Sequence, residues 1–320
     1  MTAFPAHIRV RRPTMDDVSA VMTLMLARNQ IEYGEADMTE EHIRNFWLAS
    51  DFNMNTDAWI ATTQDGRAIG YASVWHIQHV RIYTYFTALP EYDHLHIKAG
   101  LLDLVERRAW EFMAEAPVGT RVTLATGIAD VNDADQQLLA QMGYRKGRGH
   151  YRMEIEMYEP PSPAVWPDGI SVRPYLPEQD MHPIYETEIE AFADPEGYRP
   201  PSFEQWRHHS AGQEDFDPTM WFLAYDGETI AGMCLCKYWV GSGVIHPLAV
   251  RSPWRRKGLG LALLQHSFAE FYRRDTRVVK LMVDTENPWE AKRLYERVGM
   301  RVTQLHHQYE KELRPGKVLA

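Results

Sequence analysis

Ile245-His246-Pro247-Leu248-Ala249-Val250-Arg251-Ser252-Pro253-Trp254-Arg255-Arg256-Lys257-Gly258-Leu259-Gly260 reads as an apolar strand, a basic turn and the start of a helix. The run that follows, Leu259 to Arg274, sets Leu264, Phe268, Phe271 and Tyr272 on one apolar face, the spacing of an amphipathic helix. Glycines at 258 and 260 let the backbone pass close to a ligand. The unpaired N–H groups of a first helical turn point outward and carry partial positive charge. Arg255, Arg256 and Lys257 add cations at the mouth, which suits a pyrophosphate better than a carboxylate. A basic turn with a lone Gly-x-Gly can equally be a solvated helix start, so the context has to decide. No Gly-x-x-x-x-Gly-Lys-Ser/Thr occurs, which excludes a P-loop. No Gly-x-Gly-x-x-Gly follows the strand, which disfavours a dinucleotide fold.

Outward from this loop, the chain repeats itself. Ile8-Arg9-Val10-Arg11 and Ile170-Ser171-Val172-Arg173 each precede an amphipathic segment, 162 positions apart. Trp59-Ile60-Ala61, Asp65-Gly66 and Ile69-Gly70 answer to Trp221-Phe222-Leu223, Asp226-Gly227 and Ile230-Ala231-Gly232. Each set is a hairpin signal, because Asp-Gly accepts the positive φ angles of a tight turn between β-prone runs. Each half continues with an apolar strand and a long helix (Leu101 to Met113; Leu259 to Arg274). A second strand follows (Val122 to Ala125; Val278 to Val283), then a short helix closed by glycine at Met142-Gly143 or Val298-Gly299.

Between the halves, residues 158–169 carry Pro160, Pro161, Pro163 and Pro167, which remove backbone donors and resist helix and sheet alike. The expected fold is therefore α/β, more narrowly α+β with a mixed sheet in each of two tandem domains. The expected boundaries are 1–157, a proline-rich linker 158–169, and 170–320. A single doubly wound sheet or a barrel would need regular βα alternation without the Asp-Gly hairpins.

Arg255-Arg256-Lys257-Gly258-Leu259-Gly260 resembles the pyrophosphate signature of the GNAT N-acetyltransferase superfamily: Arg or Gln, two residues, Gly, one residue, then Gly or Ala. The flanks are similar as well. Pro247-Leu248-Ala249-Val250 looks like the family's fourth strand, and Asn287 through Leu294-Tyr295-Glu296 to Gly299-Met300 looks like its final helix region. The resemblance covers about half of Ile170 to Leu313. It implies acetyl-CoA as cosubstrate, with the pyrophosphate on the amides of Arg256, Lys257, Gly258, Leu259, Gly260 and Leu261. The pantetheine would run along Leu248, Ala249 and Val250, whose backbone would also supply a donor to the acetyl carbonyl. The tandem arrangement is similar to mycothiol synthase and its relatives. Those carry an acidic residue near the start of the fourth strand, where this sequence has Val244, Ile245 and His246.

Acetyl transfer from a thioester to an amine needs a neutral amine, a donor for the developing oxyanion and a proton for the departing thiolate. By resemblance, Tyr295 is the candidate acid, although it also borders the apolar stripe Ala291, Leu294 and Val298 and could be a core aromatic. Asn287 matches a pantetheine-contacting position. Asn287-Pro288 with Glu290 equally reads as a helix N-cap, a first-position proline and a capping carboxylate. His246 is the candidate base, since an unperturbed imidazole titrates near pH 6.5. Asp284, Glu286 and water are alternatives. Tyr185, Tyr198, Phe203 and Trp206 fall in the segment that covers the acceptor in this family, which favours a small-molecule amine over an open peptide groove.

In the first half, Asp93, His96 and Lys98 stand where the second half has Arg255, Gly258 and Gly260, and Leu139 stands opposite Tyr295. Side chains replace both glycines, so this copy is expected to be degenerate and without catalysis.

Composition narrows the remaining classes. A formal net charge of −10 removes the attraction on which nucleic-acid and anionic-membrane binders rely, so neither is an expected partner. A cationic amine would be mildly favoured, though such acidity also serves solubility alone. His-Glu-x-x-His and Gly-x-Ser-x-Gly are both absent, and the histidines lack metal-ligand spacing, so neither a metal site nor covalent catalysis is expected. Two cysteines, Cys234 and Cys236, and an N-terminus without a signal-like apolar stretch suit a cytoplasmic protein. It is expected to act as a monomer or homodimer. A protein acetyltransferase and a non-catalytic acyl-CoA-binding module are the alternative readings.

Overall fold

The computed structural model describes residues 4–34, 38–192, 200–212 and 216–318, without the side chains of Asp93, Leu95, Glu178 and His209. Tyr198 lies outside the described residues. The strands are β1 (Arg9–Arg11), β2 (Ala58–Thr62), β3 (Ala68–Ile77), β4 (Arg81–Ala88), β5 (Val122–Ala129), β6 (Arg145–Glu156), β7 (Ile170–Pro174), β8 (Trp221–Asp226), β9 (Thr229–Trp239), β10 (Ser242–Val250), β11 (Val278–Asp284) and β12 (Arg301–Arg314). The helices are α1 (Val18–Tyr33), α2 (Glu40–Trp47), α3 (Met54–Asp57), α4 (Ile97–Glu115), α5 (Asp133–Gln141), α6 (Pro177–Phe192), α7 (Phe203–Ala211), α8 (Leu259–Arg273) and α9 (Ala291–Arg297).

Both Asp-Gly pairs turn antiparallel hairpins, β2 with β3 and β8 with β9, and Gly66 and Gly227 take the positive φ (+89° and +60°) that the turn requires. Gly143 and Gly299 end the short helices α5 and α9 at φ +85° and +91°. Residues 158–169 carry neither helix nor strand.

Two units divide the chain: residues 1–149 with 306–319, and residues 150–305. They depart from the contiguous halves expected above, because each unit closes its sheet with a strand from the other half of the sequence. In unit 1, β12 lies antiparallel on β5, from His306 opposite Ala129 to Arg314 opposite Val122. In unit 2, β6 lies antiparallel on β11, from His150 opposite Asp284 to Glu156 opposite Val278. A strand's own residues set which face is apolar but do not name its neighbour.

In unit 1, α1 and α4 bury Val21, Leu24, Leu101 and Leu102 against Ile60, Tyr71, Phe86 and Leu124 of the sheet. Unit 2 has a core on each face of its sheet. Successive residues of β9 point to opposite faces, so Cys234 and Cys236 join Phe268 and Phe271 of α8, while Met233 and Leu235 join Ile184 of α6 and Trp206 of α7. Fully burying a side chain such as Phe268 or Phe271 is worth roughly 1.5–3 kcal/mol, which fixes α8 and therefore where its N-terminus lies. Gly243 is required beneath it: a Cβ there would meet the Phe271 ring at 2.5 Å.

Candidate active site

In unit 2, β10 and β11 are parallel neighbours, but they pair only at Gly243 with Val279 and Val244 with Lys280. Beyond that point the register runs β10 with β9 and β11 with β6, so the facing edges part and the backbone of Leu248 to Val250 borders the opening. The register slips between Ile245 and Leu248, which lie opposite Cys236 and Cys234, and the bulge carries His246 and Pro247. Pro247 has no N–H to give to a ladder, so the irregularity falls where the sequence can accept it.

The basic turn enters α8 from this opening. Gly258 is the N-cap residue at φ +88°, and Arg256 is also left-handed at φ +61°. No side chain caps the helix. Among the described residues, none of the N–H groups from Arg256 to Leu261 has a backbone acceptor; the first amide to be taken up is Ala262, by Gly258 O at 3.0 Å. Arg256, Lys257 and Gly258 are exposed, and Leu259 is buried as the anchor of the first turn. A Cβ on Gly260 would lie 3.2 Å from Leu294 Cδ2 and 3.6 Å from Val250 Cγ2, so the helix start, the end of β10 and α9 converge there.

Arg255, expected to add charge at the mouth, is bonded to the protein's own backbone. Its Nε donates to Val250 O at 2.9 Å, its Nη2 donates to Ala191 O at 3.1 Å, and its guanidinium lies 4.1 Å from the Trp289 ring. It braces the loop against β10 and α6, while Arg256 and Lys257 stay exposed. Trp289, itself exposed, was not singled out from the sequence.

Tyr295 is buried in the α8-side core, and burial foremost, with Cys234 nearby, pushes its phenol well above the ordinary range. Its hydroxyl makes no hydrogen bond among the described residues. A protonated tyrosine at neutral pH can only give a proton, not accept one. His246 is exposed on the bulge. Desolvation, then Lys237, holds its imidazole below the usual 6.5, so it is neutral at pH 7 and able to accept a proton.

Asn287 departs from the capping expectation. Helix α9 begins at Ala291 with Glu290 at its N-cap, so Pro288 lies in the preceding turn and not at the first helical position. The Asn287 Oδ1 still accepts from Trp289 N at 3.0 Å and Ala291 N at 3.3 Å, which ties that turn to the helix start.

Unit 1 has the same parting of strands, since β4 and β5 pair in parallel only from Arg81 to Tyr83. Here the opening is filled. Arg28 of α1 donates to Phe86 O on β4 at 2.8 Å and to Gly127 O on β5 at 2.9 Å, with its Nε on Glu32 at 3.0 Å. Asn132 joins Glu32 to Asp135, and Lys98 donates to Asp135 Oδ1 at 2.6 Å. Burial opposes the charge on Arg28, but Glu32, Tyr85 and Asp135 outweigh it and hold the guanidinium protonated. His96 keeps the left-handed N-cap conformation of Gly258, at φ 54°, and Leu139 is fully buried. Asp93 falls in the turn before α4; its side chain is outside those described. The backbone outline survives in this unit, and its space is taken by its own side chains.

The Acetyltransferase (GNAT) family matches residues 179–300. A GCN5-related N-acetyltransferase from Sphaerobacter thermophilus is 33% identical, with a TM-score of 0.86 over 99% of each chain. The chain belongs to the GCN5-related N-acetyltransferase family. A tandem GNAT protein from the clavulanic acid biosynthesis pathway shares the fold at 14% identity, with a TM-score of 0.75 over 97% of this chain and 100% of that one. A mycothiol acetyltransferase of Streptomyces scabiei is 28% identical over 151 residues, 46% of this chain and 48% of its own length. The chain thus spans about half the length of the curated relatives it matches. Among the described residues there is no cluster able to hold a metal ion, and no helix is long and apolar enough to cross a membrane.

Proposed function

We propose that this chain is an N-acetyltransferase that moves the acetyl group of acetyl-CoA onto the amine of a small molecule, by direct attack in a ternary complex. The observation that carries the reading is the set of unclaimed first-turn amides of α8, at the opening between β10 and β11 and beside the helix that bears Tyr295.

Acetyl-CoA, when bound, supplies an activated acetyl thioester. The amides of Arg256, Lys257, Gly258, Leu259, Gly260 and Leu261 hold its pyrophosphate, with the α8 dipole and the exposed Arg256 and Lys257 adding charge. Arg255 holds that loop in shape. Leu248, Ala249 and Val250 present backbone groups to the pantetheine and a donor to the acetyl oxygen, and Asn287 borders the same slot. His246, neutral at pH 7, accepts the proton of the attacking amine. Tyr295, kept protonated by burial, gives a proton to the departing sulfur. The half-buried aromatics Tyr185 and Phe203, with buried Trp206, support a shaped pocket for a small acceptor. Both cysteines are buried and free, which fits a cytoplasmic enzyme.

Calorimetric titration of acetyl-CoA into the wild type and a Gly258→Glu, Gly260→Glu variant tests the reading. One site, lost in the variant, is expected; no binding overturns the acetyltransferase assignment, and two sites would show that unit 1 also binds. Amines and peptides are then compared for release of CoA. Turnover of peptides alone would favour a protein acetyltransferase, and binding without turnover a non-catalytic module.

A further inference from the structure

Glu188 lies on the sheet-facing side of α6, within one turn of Ile184 and Ala191, which pack in the same cluster as Ala249 of β10. At 1.5 Å per residue it stands about 4.5 Å along the helix from Ala191, whose carbonyl is held by Arg255. Glu188 is therefore on the side of the sheet opposite α8, above the strand that borders the opening. Its Oε2 accepts from the Trp206 indole Nε1 at 2.9 Å. Its Oε1 accepts no hydrogen bond from the described residues, and no cation pairs with it among them. Burial raises its pKa, opposed by the Trp206 bond. Glu188 is half-buried, and its Oε1 is not among the sealed side-chain atoms without a partner, so it is open to a donor from outside the protein.

Trp206 belongs to an aromatic cluster with Tyr185 and Phe203, against which the His182 ring also packs, 4.7 Å from Phe203. Tyr185 is 5.4 Å from Phe203 and 5.5 Å from Trp206, and Phe203 stacks on Trp206 at 6.2 Å. The Tyr185 hydroxyl is already committed to Pro201 O at 2.8 Å, which fixes its ring and leaves the face as what it offers. A carboxylate with a spare oxygen beside fixed aromatic faces is complementary to an organic cation: the oxygen takes an N–H, and the rings attract the charge and cover the alkyl part. A neutral donor would give Oε1 a hydrogen bond without charge assistance or attraction to the ring faces, and an anionic group would be repelled.

On the reading above, which this rests on, we propose that Glu188, with Tyr185, Phe203 and Trp206, is the acceptor-recognition site for an alkylammonium. The acceptor then carries a positive charge on an apolar stem in addition to the amine that reacts, as a diamine does. The net charge of −10 favours the approach of such a molecule.

The test compares binding of 1,4-diaminobutane and of its neutral isostere 1,4-butanediol to the full chain saturated with CoA, by calorimetry, for wild type, Glu188→Gln and Glu188→Asp. Wild type is expected to bind the diamine and to prefer it over the diol. Glu188→Gln loses at least about tenfold in diamine affinity, the size of a charge-assisted hydrogen bond, with the diol unchanged. Glu188→Asp retains part of the preference, which separates loss of charge from loss of fold. A diamine that fails to bind wild type, or that binds Glu188→Gln as well as wild type, overturns the proposal. CoA itself is titrated separately into each protein: failure to bind wild type would sink the loop assignment, whereas intact CoA binding with no charge preference would sink only the role of Glu188.

Discussion

Arg255 donates from Nε to the carbonyl oxygen of Val250 at 2.9 Å, so the first cation of the loop signature is spent on the protein's own backbone. With its second bond to Ala191 O, it ties the turn to both β10 and α6. Arg255→Gln should therefore act through geometry. The KM for acetyl-CoA is expected to rise about tenfold, the cost of one or two charged hydrogen bonds, with a smaller change in kcat. Steady-state kinetics at saturating amine checks this.

Gly258→Ala isolates the left-handed turn. A Cβ there meets no atom within 4 Å, but φ is +88°. The strain is roughly 1–2 kcal/mol and falls on the loop, so acetyl-CoA should bind about tenfold more weakly while the melting transition moves little. A Kd equal to wild type would show that the turn has freedom to spare.

Tyr295→Phe should lower kcat by about a hundredfold, the usual reach of general acid catalysis, while leaving the acetyl-CoA Kd unchanged. Because the hydroxyl has no hydrogen-bond partner among the described residues, its removal should not destabilise the fold. Equal kcat, or a large loss of stability by urea denaturation, would place Tyr295 in the core only.

The pH profile follows from His246. Its folded pKa lies below the usual 6.5, so the imidazole is neutral at pH 7 and kcat/KM should fall as pH drops through that depressed value. In the same window the unfolded chain binds the proton more readily than the folded one, so the stability contributed by His246 is present above 6.5 and lost as pH falls. His246→Gln should remove the acid limb; an unchanged profile would assign the base elsewhere.

Arg28 gives a prediction for unit 1. Arg28→Met strips the guanidinium from Phe86 O and Gly127 O and leaves Glu32 buried. A cost of about 3–5 kcal/mol is expected in denaturant unfolding, because Glu32 loses its buried cation and keeps the neutral Asn132 donor.

These residues also mark how far the sequence could be read. Gly258 and Gly260 were legible because a glycine requirement is local: the turn and the helix start are specified within a few residues. The hairpins at Gly66 and Gly227 were legible for the same reason. Glu188 and Arg28 were not, because a single charged residue in an amphipathic helix looks like a solvated one until the packing around it is known. The partners of β6 and β12 were hidden too, since the alternation of Tyr151, Met153 and Ile155 fits any sheet edge of matching polarity. Arg255 was placed correctly in the loop, but its role depended on Val250 O and Ala191 O, and backbone acceptors leave no mark in a motif.

The exchange of β6 and β12 makes the two halves of the gene interdependent. A chain cut within residues 158–169 would give an N-terminal piece holding the strand that β11 needs, and a C-terminal piece holding the strand that β5 needs. Each piece alone would present an open sheet edge, ready to pair with any other chain. Neither half of the sequence closes its own sheet, so each is expected to need the strand that the other carries.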